Sequence, residues 1–416
     1  MYGRHTISII LREIFRLMDY PSIDTLLESA HIVTLPMKYP FMGLSERQAV
    51  LFEGPNSWAE YSPFMGCNDT RMWLASAIEY GWGNTNVLSV PNLDLDNTNF
   101  ASRSKYGYIA NPQTSNKDHS DNKRFYTQTK NHREIPVNAI LPDIPASKMS
   151  EILGKDLQGC KCVKIKVGKH FQDRDIHRIR AVLDFMGADT MLRLDANCKW
   201  NVSETLNNLD VLEDNDLLEN VSYIEQPCRT TRELITLKQK MDTRGYVTKI
   251  AIDESLRDLL LHWQKNRKWS NNSGITYTTE LRETLSACDM LVLKLQPMGG
   301  MRAVADLLES IKNNIKVNVG YTVSSSLETS LGIEMGLALA LNLPNITLPV
   351  GLATAGLLDA DITDDPLLPN KGYITPRKIE VNKKLLNRYA ADKRHVVWWH
   401  RRIRAAHRAL FQDLSD

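Results

Sequence analysis

The sequence predicts an α/β fold in which a closed barrel of parallel strands follows a small α+β domain. From about residue 135 onward, short apolar runs alternate with helical periods, which is the pattern of repeated βα units. The chain of 416 residues is long enough for a barrel of about 250 residues and a second domain, and 43% of its residues are hydrophobic, which supports a large core.

The region before the barrel is predicted to be a lead-in and a capping domain. Residues 1–25 form the lead-in, whose apolar stretch is interrupted by charges too early for a secretory signal or a membrane span. Residues 26–134 form the capping domain, with antiparallel strands and then a helix around Leu74. Its last part, from about 91 to 134, is too polar to build a core, so we expect an insertion there.

The barrel is predicted over residues 135–370. Its candidate strands are VNAIL, CVKIKV, MLRLD, VSYIE, KIAID, MLVLKL, IKVNV and ITLPV. The helices between them carry aliphatic residues three and four positions apart, as in DRDIHRIRAVLDFMG and SETLNNLDVLEDNDLL. A second polar stretch, from about 265 to 283, is expected to decorate the surface before the sixth strand.

The C-terminal segment, residues 371–416, is predicted to pack on the capping domain. From Asn382 onward it combines many lysines and arginines with Trp398, Trp399 and Ile403, as in a basic amphipathic helix. Such a helix could bind an anionic surface or nucleic acid. We favour the alternative that its apolar face packs on the fold while the arginines are solvated, because runs of charge have weak specificity.

The charge balance excludes other classes of protein. With 51 lysines and arginines against 49 acidic residues, the formal net charge is +2, which argues against a global role on nucleic acid or on a membrane surface. None of the six cysteines forms a CxxC pair with zinc-finger spacing, so we expect reduced thiols. The expectation is a cytoplasmic protein, with a monomer favoured, that has neither a nucleic-acid nor a membrane partner.

Three carboxylates recur at the ends of short apolar runs. Asp195 ends MLRLD, Glu225 ends VSYIE, and Asp253 ends KIAID, so that they lie 30 and then 28 residues apart. A strand, a helix and their loops take about 30 residues, and successive strand ends in a barrel converge on one rim. Ligands that are all oxygen favour Mg²⁺ or a similar hard ion. The spacing therefore predicts a divalent metal site.

Lysines are predicted on both sides of those carboxylates. In CVKIKVG, Lys164 and Lys166 share one face, and inside a barrel mutual repulsion and desolvation lower a lysine pKa, as a general base requires. The alternative, an exposed KxK on an edge strand, is less favoured because aliphatic residues frame the pair. Lys294, which follows MLVL, is expected across the barrel, where it would stabilise negative charge on a substrate.

A serine run offers a further candidate site. Ser324, Ser325 and Ser326 precede the helical run LETSLGIEMGLALAL. The free amides of such a helix start bind carboxylates, although simple capping of the helix by a serine is an equally favoured alternative. No histidine falls at a predicted strand end, and the sequence contains no GxSxG, HExxH or Walker motif.

Taken together, these motifs resemble a known family. KIKVG, LRLDAN, YIEQP, AIDES and LKLQPMGG are similar to the enolase superfamily, in particular its muconate-lactonizing subgroup. The resemblance implies a (β/α)7β modified TIM barrel, with a capping domain made from the N-terminal region and the C-terminal tail. From about His31 to the C-terminal region, IPVNAILP, VSSSLETSLGI and GLATAGLLDADITDDPL also resemble the actinobacterial type of o-succinylbenzoate synthase of menaquinone biosynthesis.

The resemblance also implies a lyase reaction and roles for residues. It implies that Lys166 removes the proton next to the carboxylate of 2-succinyl-6-hydroxy-2,4-cyclohexadiene-1-carboxylate and returns it to the departing hydroxyl, which gives o-succinylbenzoate. Lys164 would tune Lys166, and Lys294 with Mg²⁺ would hold the enediolate. Asp195, Glu225 and Asp253 would bind the Mg²⁺. Arg193, Asn197 and Glu254 would flank the metal ligands and support them, and Ser324, Ser325 and Gly351 would lie near the succinyl tail.

The chain departs from the family pattern, and alternatives stay open. Many relatives carry arginine at the position of Met42, and the polar insertion is unusually long. N-acylamino acid racemases, dipeptide epimerases and cycloisomerases share the proton-abstraction step, so the catalytic residues alone do not separate them. A non-catalytic barrel that binds nucleic acid or an acidic partner through its basic tail is a hypothesis of another class. It predicts salt-dependent binding that truncation after Asn382 abolishes.

Overall fold

The structure is a computed structural model, and it describes a defined part of the chain. The described residues are 20–83, 134–142, 144–148, 153–154, 159–265, 273–315, 317, 319–343, 346 and 348–411. Most of the predicted lead-in and nearly all of the first polar insertion lie outside them. The predicted domain boundaries stay a prediction.

A three-stranded antiparallel sheet and two helices form the N-terminal unit. Its elements are α1 (Ile23–Glu28), β1 (Ala30–Phe41), β2 (Leu44–Glu53), β3 (Trp58–Tyr61) and α2 (Arg71–Trp82). The hairpin between β1 and β2 turns through Met42 and Gly43, both with positive φ. Glycine adopts this conformation at little cost, so the turn stays tight and Met42 is carried at its tip.

Seven parallel strands form the barrel sheet, and their order across the sheet is the reverse of their order along the chain. The strands, with the short β4 and β12 that pair with each other outside this sheet, are β4 (Ile135–Pro136), β5 (Ala139–Leu141), β6 (Cys162–Lys166), β7 (Met191–Asp195), β8 (Val221–Glu225), β9 (Lys249–Ile252), β10 (Met290–Lys294), β11 (Gly320–Ser324) and β12 (Tyr373–Ile374). Parallel bridges from Val350 to Val137 and from Gly351 to Ser324 close the ring. The α/β barrel with its cap is thus confirmed.

Two predicted strands differ from the structure. The seventh is Gly320–Ser324 and not IKVNV, whose first residue ends a π-helical turn, Ile311–Ile315. The eighth, ITLPV, contributes only the bridge of Val350 in the described residues. Pro349 has no N–H to give to a ladder, which is a physical reason why this position is held by isolated bridges.

Helices join the strands. They are α3 (Ile176–Met186), α4 (Val202–Asp214), α5 (Thr231–Arg244), α6 (Glu254–Lys265), α7 (Ser273–Ser286), α8 (Leu295–Met298), α9 (Met301–Ser310) and α10 (Ser330–Asn342). Short turns of other helix types are Ala146–Lys148, Phe171–Asp175, Leu218–Asn220, Ile311–Ile315 and Thr354–Leu357. Reciprocal capping boxes, Asn201 with Glu204 and Thr230 with Glu233, fix the starts of α4 and α5.

The second polar stretch is not merely surface decoration, as the sequence predicted. Its later part belongs to α7, and Leu281 on that helix is 2% exposed. Trp263 on α6 donates its indole N–H to Glu280 at 2.8 Å, so the two helices are joined. The sequence pattern did not predict this helix, because α7 has few apolar residues to show a helical period.

The C-terminal chain forms α11 (Lys383–Arg388) and α12 (Lys393–Phe411). Trp399 and Ile403 on α12 are fully buried, and Trp399 donates to Gln48 on β2 at 2.9 Å. The apolar face of this basic helix therefore packs on the N-terminal unit, as the favoured alternative expected. Among the described helices, none combines the length and apolarity needed to cross a lipid bilayer.

Candidate active site

The lysines and carboxylates meet because neighbouring strands carry them in register. Lys166 lies opposite Asp195 on the adjacent strand, and Asp195 lies opposite Glu225 on the next. Alternation along β6 sends Val163 and Ile165, both fully buried, into the apolar core on the opposite face from the lysines. The charged side chains therefore gather inside the ring at the carboxyl ends of the strands.

One side of the site is a bridged cluster of four charges. Lys164 Nζ lies 2.8 Å from Asp195 Oδ2 and 2.7 Å from Glu225 Oε1. Lys166 Nζ lies 2.7 Å from the same Asp195 oxygen. Both carboxylate side chains are fully buried, and the two lysines are nearly so. In such a dry site each charge depends on its partner, because water cannot screen it.

The other side of the site holds a second ion pair. Lys294, at the end of β10, is separated from Lys166 by the three strands β7, β8 and β9. Its Nζ lies 2.5 Å from Asp253 Oδ2, just after β9. The structure thus places one lysine pair and one single lysine on opposite sides of the three carboxylates, which leaves space for a substrate between them.

The two lysines of β6 differ in acidity. Burial lowers the pKa of Lys164, but Asp195 and Glu225 more than offset this and hold its pKa well above the ordinary value. Burial lowers the pKa of Lys166, and although Asp195 raises it, repulsion by Lys164 adds to the lowering. The prediction that both lysines have a lowered pKa is therefore wrong for Lys164. Lys166 is the one suited to give up its proton.

The carboxylate set fits a hard cation in two observable ways. Glu225 Oε2 and Glu254 Oε2 are buried without a hydrogen-bond partner. Burial, and then the neighbouring Asp195 charge, raise the pKa of Glu225. A cation near these oxygens would relieve both, and oxygen donors suit Mg²⁺. In the described residues, however, no three His, Cys, Asp or Glu side chains form a ready metal site, since the lysines engage the carboxylates directly.

Asn197 and Glu254 extend the cluster toward the cleft. Asn197 accepts from Lys166 Nζ at 2.7 Å and donates to Glu254 Oε1 at 3.1 Å. Asn197 has φ of 45°, a left-handed conformation that asparagine tolerates better than most residues. This short chain of hydrogen bonds fixes the position of the Lys166 ammonium group.

Arg193 was expected beside the metal ligands, because it is two residues from Asp195, but it lies deeper in the barrel. It is 1% exposed and donates to Asn138 Oδ1 at 2.8 Å, while its guanidinium lies 5.0 Å from the centre of the Tyr223 ring. Asn138 lines the cleft. Arg193 therefore holds a cleft residue in place from below.

Ser324, Ser325 and Gly351 come together at the ring closure. Ser325 Oγ donates to the Gly351 carbonyl at 2.8 Å and pairs with Thr354 Oγ1 at 2.8 Å. A Cβ added to Gly351 would lie 2.6 Å from Ser324 Oγ, so only glycine fits this position. All three residues line the cleft beside Lys294.

The predicted role of the helix start after these serines differs from the structure. Helix α10 begins at Ser330, and Thr329 is its N-cap. Glu60 of the N-terminal unit accepts from the backbone amides of Thr329 at 3.2 Å and Gly332 at 3.0 Å. Two of the amides expected to bind a substrate, or to be capped by a serine, thus bind an internal carboxylate far away in sequence, and the amide of Ser330 binds Asp361 at 3.2 Å.

The charged groups face a cleft that is open to solvent. Its apolar side comprises Phe41, Phe64, Ile140 and Leu327, and Met42 at the hairpin tip is 54% exposed. Sequence reasoning missed these apolar residues and Asn138. The signal was present in the hairpin LPMKYPFMG and in the strand VNAIL, but nothing in either segment marks which side chains turn inward.

Parts of the N-terminal unit and of the barrel match models of enolase-like domains. Residues 32–81 match the model described as enolase N-terminal domain-like, and residues 149–263 match the model described as enolase C-terminal domain-like. Among solved structures, a muconate lactonizing enzyme from Pseudomonas fluorescens has a TM-score of 0.59 at 16% identity, covering 87% of this chain and 98% of its own. The chain therefore has the fold of muconate lactonizing enzymes, a modified barrel with a cap, and both of its family-model matches are to enolase-like domains.

Some curated proteins are similar to this chain over nearly its whole length. The o-succinylbenzoate synthase of Mycobacterium tuberculosis strain H37Rv is 28% identical over 394 residues, 94% of this chain and 97% of its own. That of Thermobifida fusca is 29% identical over 385 residues, 91% and 96% of the two chains. The fold is also shared with an N-succinyl Arg/Lys racemase from Bacillus cereus, at a TM-score of 0.57 and 19% identity, covering 87% of this chain and 97% of its own.

Proposed function

We propose that this enzyme is an o-succinylbenzoate synthase, a Mg²⁺-dependent carbon–oxygen lyase of menaquinone biosynthesis. It would act in the cytoplasm on a small-molecule carboxylate. The observation that carries the proposal is the placement of Lys166 and Lys294 on opposite sides of three strand-end carboxylates, in a cleft with an apolar wall. Whole-chain similarity to enzymes named o-succinylbenzoate synthase supports the choice of substrate.

Lys166 acts as the base in this proposal. Burial and repulsion by Lys164 lower its pKa, which favours the neutral amine that accepts a proton. Its hydrogen bonds to Asp195 and Asn197 keep it on one face of the substrate. The amine takes the proton next to the substrate carboxylate, and the resulting ammonium group returns a proton to the hydroxyl on the same face. Water leaves, and the ring becomes aromatic.

Lys294 serves the opposite face. It remains charged, because Asp253 raises its pKa although burial lowers it. A fixed cation at this largely buried position stabilises the negative charge that develops on the substrate carboxylate. When bound by Asp195, Glu225 and Asp253, Mg²⁺ would supply further positive charge to the same oxygens.

A racemase or epimerase acting on N-acylated amino acids is the second candidate. It is favoured by one specific observation, namely that a lysine stands on each face of the cleft, so that a proton removed on one side can be delivered on the other. Such a reaction needs a neutral Lys166 and a charged Lys294, as does the dehydration.

An assay with both substrate classes separates the candidates. The purified chain should form o-succinylbenzoate from the cyclohexadiene substrate when Mg²⁺ is present and lose this activity in excess chelator. Exchange of the α-hydrogen of N-succinyl amino acids in deuterium oxide, without any dehydration of the cyclohexadiene, would instead favour the racemase.

A further inference from the structure

The segment that follows β11 lies between the cleft and the N-terminal unit. Ser324 at the end of β11 and Ser325 and Ser326 after it line the cleft, and helix α10 begins four residues beyond Ser326. Its backbone is strained at Leu327, which has φ of 64°. A non-glycine residue in the left-handed region costs free energy and persists only where its surroundings hold it there. What holds the segment is therefore relevant to the site.

Arg47 on β2 forms hydrogen bonds with backbone carbonyl groups of the segment. Its guanidinium donates to the carbonyl oxygens of Leu327 at 2.9 Å and Ser326 at 3.2 Å, and also to the carbonyl of Ser62. Arg47 is 2% exposed, and its guanidinium lies 4.6 Å from the centre of the Phe64 ring on the cleft wall. Only the planar fork of arginine reaches these carbonyls at once, since lysine is a single point charge.

Glu60 on β3 accepts hydrogen bonds from backbone amides of the same segment. Its carboxylate accepts from the amides of Thr329 and Gly332 and from Thr329 Oγ1 at 2.6 Å. A Cβ on Gly332 would lie 2.9 Å from Glu60 Oε2, so the glycine makes this approach possible. Arg47 and Glu60 also attract each other. The N-terminal unit thus holds one barrel segment by its carbonyls and its amides together.

We infer that Arg47 and Glu60 are positioning residues that set where Ser324–Ser326 stand in the cleft, and hence how tightly the distal, succinyl part of the substrate is held. This inference rests on the proposed function for the identity of the substrate. It assigns the N-terminal unit a role in substrate affinity through buried contacts with the barrel, in addition to the side chains that it lends to the cleft wall.

The chain contains a matched control for this role. Glu79 on α2 caps α9 in the same manner, accepting from the amides of Met301 at 2.6 Å and Arg302 at 3.2 Å. Its side chain is 13% exposed, and it too joins the N-terminal unit to a barrel helix. No residue of α9 lines the cleft. Loss of Glu79 should therefore cost stability without moving the serines.

The test compares Arg47→Lys, Glu60→Gln and Glu79→Gln in the full chain. We expect Arg47→Lys and Glu60→Gln to raise KM for the cyclohexadiene substrate about tenfold, the effect of losing one hydrogen bond to a charged group, with a much smaller change in kcat. Glu79→Gln should lower the melting temperature and leave KM unchanged. An equal rise of KM in Glu79→Gln, or unchanged KM in both other variants, would overturn the inference.

A second readout does not depend on turnover. Hydrogen exchange of the amides from 324 to 332 should speed up in Arg47→Lys and Glu60→Gln relative to Glu79→Gln. Equal exchange in all three variants would contradict the inference that Arg47 and Glu60 hold this segment, even in an active enzyme. Conversely, faster exchange in a chain that forms no o-succinylbenzoate would support the positioning role of Arg47 and Glu60 and refute the proposed substrate.

Discussion

Lys166 and Asp195 are direct partners on adjacent parallel strands, and their charged groups meet at 2.7 Å. Because register fixes this pairing, the base and the carboxylate cluster are set by the sheet and not by a mobile loop. The consequence is a site whose geometry depends on few residues, each of which can be tested singly.

Replacing Lys294 tests the opposite face of the cleft. Lys294→Ala removes the fixed cation beside Asp253, so we expect kcat to fall by about a hundredfold or more, as for other losses of electrostatic stabilisation. Steady-state kinetics measure this. Lys312→Ala, which alters a lysine elsewhere in the barrel region, is the control. A kcat within a factor of about two of the wild type would remove Lys294 from the mechanism.

Replacing Glu225 tests the metal. Glu225→Gln should weaken Mg²⁺ binding by about tenfold or more, since it removes one anionic oxygen donor. Isothermal titration with Mg²⁺ and no substrate measures the affinity directly. Glu213→Gln, a change at an exposed helix position, should leave it unaltered. Equal affinities for the two variants would show that Glu225 is not a ligand.

Replacing Gly351 tests the packing where the barrel closes. A methyl group there would approach Ser324 Oγ at 2.6 Å and Asn138 Oδ1 at 3.4 Å, so Gly351→Ala should displace cleft residues and raise KM. Gly66→Ala is the matched control, because an added Cβ there meets nothing within 4 Å. The prediction fails if both variants bind substrate like the wild type.

The buried glutamates predict how stability depends on pH. Burial, and then Glu328, raise the pKa of Glu60 to about 7, and burial raises the pKa of Glu79 to about 7. Between about pH 4.5 and 7 the folded chain holds protons that the unfolded chain has lost, so the free energy of unfolding falls as pH rises, by up to about 1.4 kcal/mol per pH unit for each group. Denaturant unfolding at several pH values measures this slope, and Glu60→Gln should flatten it. A slope of the opposite sign would contradict these pKa values.

Replacing Trp399 tests how the C-terminal helix α12 packs on the N-terminal unit. It is fully buried, and its ring packs edge-on against Tyr61. Trp399→Ala should therefore lower the free energy of unfolding by about 3–5 kcal/mol. Val397→Ala on the same helix, at a half-exposed position, should cost far less. Comparable losses in the two variants would argue that this helix is not packed as described.

The sequence predicted the barrel, the cap and the gathering of charges because periodicity and strand-end position are local properties. Strand β11 was misplaced because IKVNV alternates as well as GYTVS does, and only the sheet decides between them. Arg47 and Glu60 gave no signal, since their partners lie some 270 to 280 residues away. The opposite pKa shifts of Lys164 and Lys166 likewise depend on which carboxylates each lysine meets in three dimensions.

The most direct test of the central claim is turnover of the cyclohexadiene substrate by the wild type and by Lys166→Ala, with Mg²⁺ binding and the unfolding transition measured on both. We predict o-succinylbenzoate from the wild type and a loss of about a thousandfold or more in the variant, with folding and Mg²⁺ binding retained. Wild-type-like turnover by Lys166→Ala, or no product from the wild type with Mg²⁺ present, would contradict the account.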